Sequence, residues 1–154
     1  MEIKFAFYKA FEAKGAGKDD WIIAEWTRGP YSHVEIIAPD DVMCSSSPRD
    51  GGVRCKKHVY DKSTWDYISI DVDQNGTDRY VKFCSETQGM KYDWLGILGF
   101  VLPIHDDPEK YFCSEWSTRA GIIMGIECLY TKEPSRISPN KLAKILLNAG
   151  YKLD

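Results

Sequence analysis

The spacing of apolar residues changes part-way along the chain, and that change constrains the fold more than any other feature. Up to about residue 72 the apolar positions fall mainly in short alternating runs, such as 2–8, 32–38 and 67–72, the spacing of half-buried strands. Later they recur three and four apart, as in Leu142, Ile145, Leu146 and Ala149, which share one face of a helix. The N-terminal half therefore predicts strands and the C-terminal half helices. No repeat, low-complexity tract or linker interrupts the 154 residues, so residues 1–154 are expected to form a single domain.

Turn chemistry sets the expected boundaries. A strand over 2–8 precedes a helix from Asp19 to Arg28, capped by Asp19 and ended by Gly29-Pro30. Antiparallel strands follow at 32–38, 42–46 and 53–58, joined by turns at Pro39-Asp-Asp41 and Ser47-Pro-Arg-Asp-Gly-Gly52, and a further strand covers 67–72. Helices are expected at 77–88, 93–101, 113–124 and 139–149, the last opened by Ser138-Pro139 and stopped by Gly150.

Chemistry-bearing residues gather on two of these elements. Cys113 opens the third of these C-terminal helices, where unpaired backbone N–H groups and the helix dipole favour a thiolate. His33, 80 residues earlier, opens a strand and can take the thiol proton and return it to a leaving group. Side chains alternate along a strand, so Glu35 shares the His33 face and is the favoured residue to orient the imidazole. With the first turn centred on 39–40, Ser46 lies across from His33 and is the other candidate. An oxyanion would be held by the Cys113 backbone N–H, with Tyr31 or Tyr111 as side-chain donors.

Each of these residues also has a plain structural role. Cys113, Trp116, Ala120 and Ile123 form a helical stripe that would suit a core thiol, and lone histidines and strand glutamates are usually structural or solvated. His58 and His105 sit in polar or Pro/Asp-rich surroundings and are expected at the surface. With the second turn centred on 49–50, Cys44 faces Cys55 near His58, which would allow a zinc half-site or a cross-strand disulfide. Structural zinc wants four ligands and no CxxC pair occurs, so packing thiols are the favoured reading, with no metal and no cofactor.

Charge and composition narrow the partners. The net charge of −3 argues against nucleic acid as a partner. Charges interrupt the first apolar run, so no signal peptide is expected, and five cysteines, an odd number, fit a reducing compartment. The run 94–104, containing Trp94, Phe100 and Ile104, is too short to span a bilayer; a buried helix is favoured there over a weak contact with a membrane or an acyl chain.

Four segments together carry a family likeness: Pro30-Tyr-Ser-His-Val-Glu35, Ser45-Ser-Ser-Pro-Arg-Asp-Gly-Gly-Val-Arg54, Tyr92-Asp-Trp-Leu-Gly96 and Phe112-Cys-Ser-Glu-Trp116. With Ser138-Pro139-Asn140 they resemble the circularly permuted NlpC-like amidases, papain-like proteins in which the histidine strand precedes the cysteine helix, and in particular small members encoded by bacteriophages and prophages. The resemblance runs from about residue 2 to 147. It implies an α+β fold with a central antiparallel sheet packed against the Cys113 helix, Cys113 as nucleophile and His33 as base. The third polar residue varies in that family. It also implies a peptide or acyl-amide substrate and a cysteine hydrolase, acting in a host cytoplasm or associated with a virion. Two other functions compete: lipid acyl transfer of the lecithin:retinol acyltransferase-like kind, and a non-catalytic virion component or host-protein binder.

Overall fold

The computed structural model describes residues 1–13, 16–93 and 110–154. The elements are β1 (Glu2–Lys9), α1 (Lys18–Trp26), β2 (Tyr31–Ile37), β3 (Val42–Ser47), β4 (Gly52–Lys57), β5 (Trp65–Asp71), α2 (Gln74–Thr87), β6 (Lys91–Tyr92), β7 (Lys110–Tyr111), α3 (Cys113–Met124) and α4 (Pro139–Asn148), with short 3-10 turns at Glu127–Leu129 and Pro134–Arg136. Among the described residues this is a mixed α+β architecture with one seven-stranded sheet, in the order β5-β1-β2-β3-β4-β6-β7. All pairings are antiparallel except β6 with β7.

Strand alternation gives the sheet two apolar faces. Phe5, Phe7, Val34, Ile36, Ile68 and Ile70 point into the main core, where Trp116, Ala120, Leu142 and Leu146 from α3 and α4 cover them. The alternate positions Ala6, Ile37, Met43 and Tyr67 form a smaller cluster on the opposite face. Helix ends follow the expected chemistry with small shifts. Ser138 caps α4 by accepting from the Lys141 N–H, and Asp73 caps α2 by accepting from the Gly76 N–H at 2.6 Å. Helix α1 begins at Lys18, so Asp19 lies inside it, and Asp20 reaches back to the Gly17 N–H at 2.8 Å.

Of the two hairpins, only the first departs from the expected register. The second has the expected register, with Cys44 opposite Cys55. The first closes around three residues, 39–41, with Asp41 in the left-handed region at φ 60° and Ala38 bonded to Val42. Ile36 therefore faces Cys44, one position from the register expected of a turn centred on 39–40. A one-residue slip moves a strand's side chains to the other face, so Ser46 turns into the core, away from His33.

A bulge modifies β2. Tyr8 pairs with His33 while Lys9 pairs with Tyr31, leaving Ser32 as an extra residue. The extra residue turns Tyr31 to the face opposite His33, where its ring packs on Phe7 at 5.2 Å. The start of β2 is clamped from α4: Asn140 accepts from the Tyr31 N–H at 2.9 Å and donates to its carbonyl at 2.9 Å, like a neighbouring strand. Gly29 makes room for that amide, since a Cβ there would overlap the Asn140 side chain.

The expected helix over 93–101 and the apolar run 94–104 lie outside the described residues, as does His105. No helix among the described residues is long and apolar enough to cross a membrane. Replacing Gly29 with Ala is expected to destabilise the chain by roughly 1–3 kcal/mol, read from the shift in denaturation midpoint. An unchanged midpoint would mean the Asn140 clamp is not needed for the start of β2.

Candidate active site

Glu35 is the residue around which the site is organised. Its carboxylate is 2% exposed, on the face of β2 opposite the main core. A buried charge of this kind needs partners. Arg54, on β4, supplies two parallel bonds, Nη1 to Oε2 at 2.8 Å and Nη2 to Oε1 at 2.6 Å. His33 Nε2 donates to Oε1 at 3.0 Å. Arg54 also donates through Nε to Asp50 in the β3–β4 loop, and Lys56 reaches the same Asp50 oxygen at 3.2 Å.

On its other side His33 interacts with the Cys113 thiol by hydrogen bond and by charge. With Nε2 committed to Glu35, Nδ1 is the ring nitrogen left for the sulfur. The imidazole side chain is 16% exposed and its ring stands edge-on to Trp65, 6.3 Å between centres. Cys113 is the first residue of α3, and the preceding Phe112 gives no side-chain cap, so the positive end of the helix dipole acts on the thiol.

The charges set the protonation states. Burial alone would lower the His33 pKa; the charge and hydrogen bond of Cys113, followed by those of Glu35, outweigh it and raise it to about 9. Burial alone would raise the Glu35 pKa; hydrogen bonds and charge from His33 and Arg54 outweigh it and lower it to about 2. Asp50, less buried, is likewise lowered to about 2, its burial cost outweighed by the combined hydrogen bonds and charges of Arg54 and Lys56.

A cleft of about 400 Å³ opens onto His33 and Glu35. Tyr8, Met43 and Trp65 give it an apolar wall, and Asp20, Arg49, Asp50 and Lys56 ring it with both signs of charge. Arg49 lies over the Tyr8 ring at 5.9 Å and bonds Asp20 at 2.6 Å, and Asp20 accepts from Ser32 Oγ at 2.9 Å. These contacts tie α1 and the β3–β4 loop to the end of β2. Such an arrangement, an imidazole held by a buried carboxylate beside a cleft, with a 4% exposed thiol acting on the same ring, is suited to nucleophilic attack on a carbonyl.

The structure thus brings together Cys113, His33 and Glu35. It does not bring Ser46, whose hydroxyl donates to the Tyr111 carbonyl at 2.6 Å inside the core. Nor does it bring the Tyr31 hydroxyl, which donates to Asp66 Oδ2 at 2.7 Å; burial and that carboxylate push its pKa up. The Tyr111 ring packs in the main core, 6.4 Å from Phe83 and 5.7 Å from the Arg119 guanidinium. His58 is not a surface residue: it is 8% exposed, with Nε2 on the Tyr67 hydroxyl at 3.0 Å and Nδ1 on the Met43 sulfur at 3.1 Å. Cys44 and Cys55 are joined as a cross-strand disulfide rather than packed as thiols.

Arg54 and Asp50 belong to the segment that carries the family likeness, but the sequence assigned neither a part in the site. Their signal was the strand register: Arg54 faces Ser45 on β3, and with the three-residue first turn that row continues to Glu35. Compared with known proteins, the chain matches no family model and no curated protein.

Glu35→Gln is expected to cost on the order of 3 kcal/mol, because it removes the two-bond carboxylate partner of the Arg54 guanidinium and leaves it only Asp50. The depressed Glu35 pKa has a definite sign. Its stabilisation is present above the ordinary value of 4.5 and is lost as pH falls through about 2. Acid titration of the wild type should show that loss between those limits, and Glu35→Gln should lack it; identical acid profiles would remove Glu35 from this role.

Proposed function

We propose that the chain is a cysteine-dependent hydrolase of amide or ester bonds, with a papain-like fold of the permuted NlpC-like kind, acting on a peptide or acyl-amide substrate. The observation that carries this reading is the position of His33, with the Cys113 thiol on one side and the buried Glu35 on the other. The permuted order of the histidine strand and the cysteine helix supports it as well.

In this mechanism Cys113 and His33 react as a thiolate and an imidazolium. The sulfur attacks the substrate carbonyl, and the oxyanion is held by N–H groups at the start of α3, including that of Cys113. His33 gives its proton to the leaving amine or alcohol as the tetrahedral intermediate collapses to an acyl-enzyme. It then takes a proton from water, which attacks the acyl carbonyl and regenerates the thiol. Glu35 keeps the ring oriented and stabilises the imidazolium, and Arg54 keeps Glu35 ionised and in place. The cleft beside Trp65 and Tyr8 would receive the substrate chain, its apolar wall excluding water and its charged rim contacting polar groups.

Alkylation tests this without a known substrate. Besides Cys113, the free thiols are Cys84 and Cys128. Burial pushes Cys84 up to about 11 against the hydrogen bond from Tyr80, and burial also raises Cys128. Iodoacetamide followed by mass spectrometry is therefore expected to label Cys113 first at neutral pH, and more slowly in His33→Ala. Labelling of Cys113 no faster than of the other two would sink the proposal. On a cleaved substrate, Cys113→Ala should lose turnover and His33→Ala should lose roughly 10²–10⁴-fold.

The pH dependence has a fixed direction. The His33 proton is held up to about pH 9, so turnover should fall above that value as the general acid is lost. The stabilisation from the charged imidazole follows the same limb: it is complete below the ordinary value of 6.5 and is lost as pH rises through about 9. An activity that stays flat to pH 10.5 would exclude His33 as the acid.

A further inference from the structure

A second cluster of sulfur lies away from Cys113. Cys44 on β3, Cys55 on β4 and Cys84 on α2 bring their Sγ atoms within 4.8 Å of one another. Cys44 is buried at 3% exposure, and the other two are half-buried against the main core. The Cys44–Cys55 disulfide accounts for two of these sulfurs and leaves Cys84 as a free thiol beside it.

Size and ligand chemistry say what three such sulfurs suit. A trigonal site with metal–sulfur bonds of about 2.3 Å sets its sulfurs about 4 Å apart. That spacing fits within the observed 4.8 Å, once the two bonded sulfurs separate by rotation about their Cα–Cβ bonds. Zinc in a structural site takes four ligands, and the group among the described residues offers three. An all-sulfur, three-coordinate set selects a soft monovalent cation. Cys55 and Cys84 are each only partly buried, so the excess negative charge of three thiolates is not wholly enclosed by the core.

We infer that the reduced protein binds Cu(I) through Cys44, Cys55 and Cys84, and that the Cys44–Cys55 disulfide is the closed, metal-free state of the same site. The two states interconvert with balanced chemistry. Two molecules of a low-molecular-weight thiol reduce the disulfide, yielding the two cysteine thiols and one small-molecule disulfide. Cu(I) then displaces one proton from each of three thiols, and three protons pass to solvent without any change in the oxidation state of the metal. The site is independent of the Cys113 reaction.

The test is an anaerobic titration of the full chain with Cu(I) against a chromogenic Cu(I) chelator, before and after reduction by a non-coordinating phosphine. Reduced wild type is expected to hold one Cu(I) per chain, with three sulfur neighbours by X-ray absorption, and the oxidised protein to hold none. Cys84→Ser should lower the affinity at least tenfold and the sulfur count from three to two. Cys113→Ala with Cys128→Ser, which removes the other free thiols, should leave both unchanged. Equal uptake by the oxidised and reduced wild type would overturn the assignment, and that comparison needs no variant to fold. No uptake by the reduced protein, or uptake unaffected by Cys84→Ser, would overturn it equally.

Discussion

A carboxylate placed where water cannot reach it must be answered by the protein, and the burial of Glu35 imposes that requirement on this sheet. Its two oxygens take two bonds from Arg54 and one from His33, so three side chains from β2 and β4 are fixed relative to one another. Arg54 reaches Glu35 across β3, which requires the two hairpins to close in one particular register. The same guanidinium draws in Asp50, and Asp50 draws in Lys56, so the β3–β4 loop is held over the cleft. Desolvation alone would favour a neutral carboxyl. The paired cations reverse that preference, and a site with a permanent anion behind His33 follows from the reversal.

The position of His33 depends equally on how the chain enters β2. Asn140 bonds both backbone groups of Tyr31 from α4, and the Ser32 bulge lies between that clamp and His33. The bulge separates two residues of the same sequence parity. Tyr31 goes into the core against Phe7, and His33 goes to the cleft against Trp65. Helix α4 therefore acts on the site through the backbone of β2. Gly29 belongs to the same device, because its missing side chain is the space the Asn140 amide occupies.

Periodicity made the larger elements legible: the starts and stops of α3 and α4 fall within a residue of expectation, since Cys113 and Ser138-Pro139 carry strong local signals. Cys113, His33 and Glu35 were legible because residue type and alternation suffice for them. What failed were single-residue decisions. The Asp41 left-handed turn shifts the β2–β3 register by one, which turned Ser46 inward and hid the Arg54 partner of Glu35. A bulge leaves no mark in composition, so the loss of Tyr31 from the site was equally invisible. His58 looked exposed because most of its neighbours in sequence are polar, whereas its neighbours in space include Tyr67, Met43 and Trp65 from other strands.

Those single-residue devices matter because the two faces of the sheet carry different chemistry. One face is covered by α2, α3 and α4, and the Cys44–Cys55 disulfide with Cys84 lies on that side. The other carries Glu35, Arg54 and the cleft, over the small Ala6–Ile37–Met43–Tyr67 cluster. In β3 and β4 these functions alternate residue by residue: Cys55 faces the core while Arg54 and Lys56 face the cleft. A slip of one position in either hairpin would exchange them, placing a guanidinium among aliphatic side chains and a sulfur beside a carboxylate. The cost of burying Arg54 without Glu35, several kcal/mol, far exceeds what any one turn residue contributes. The charge pair consequently selects the register, and the left-handed Asp41 is the local conformation that lets the chain satisfy it.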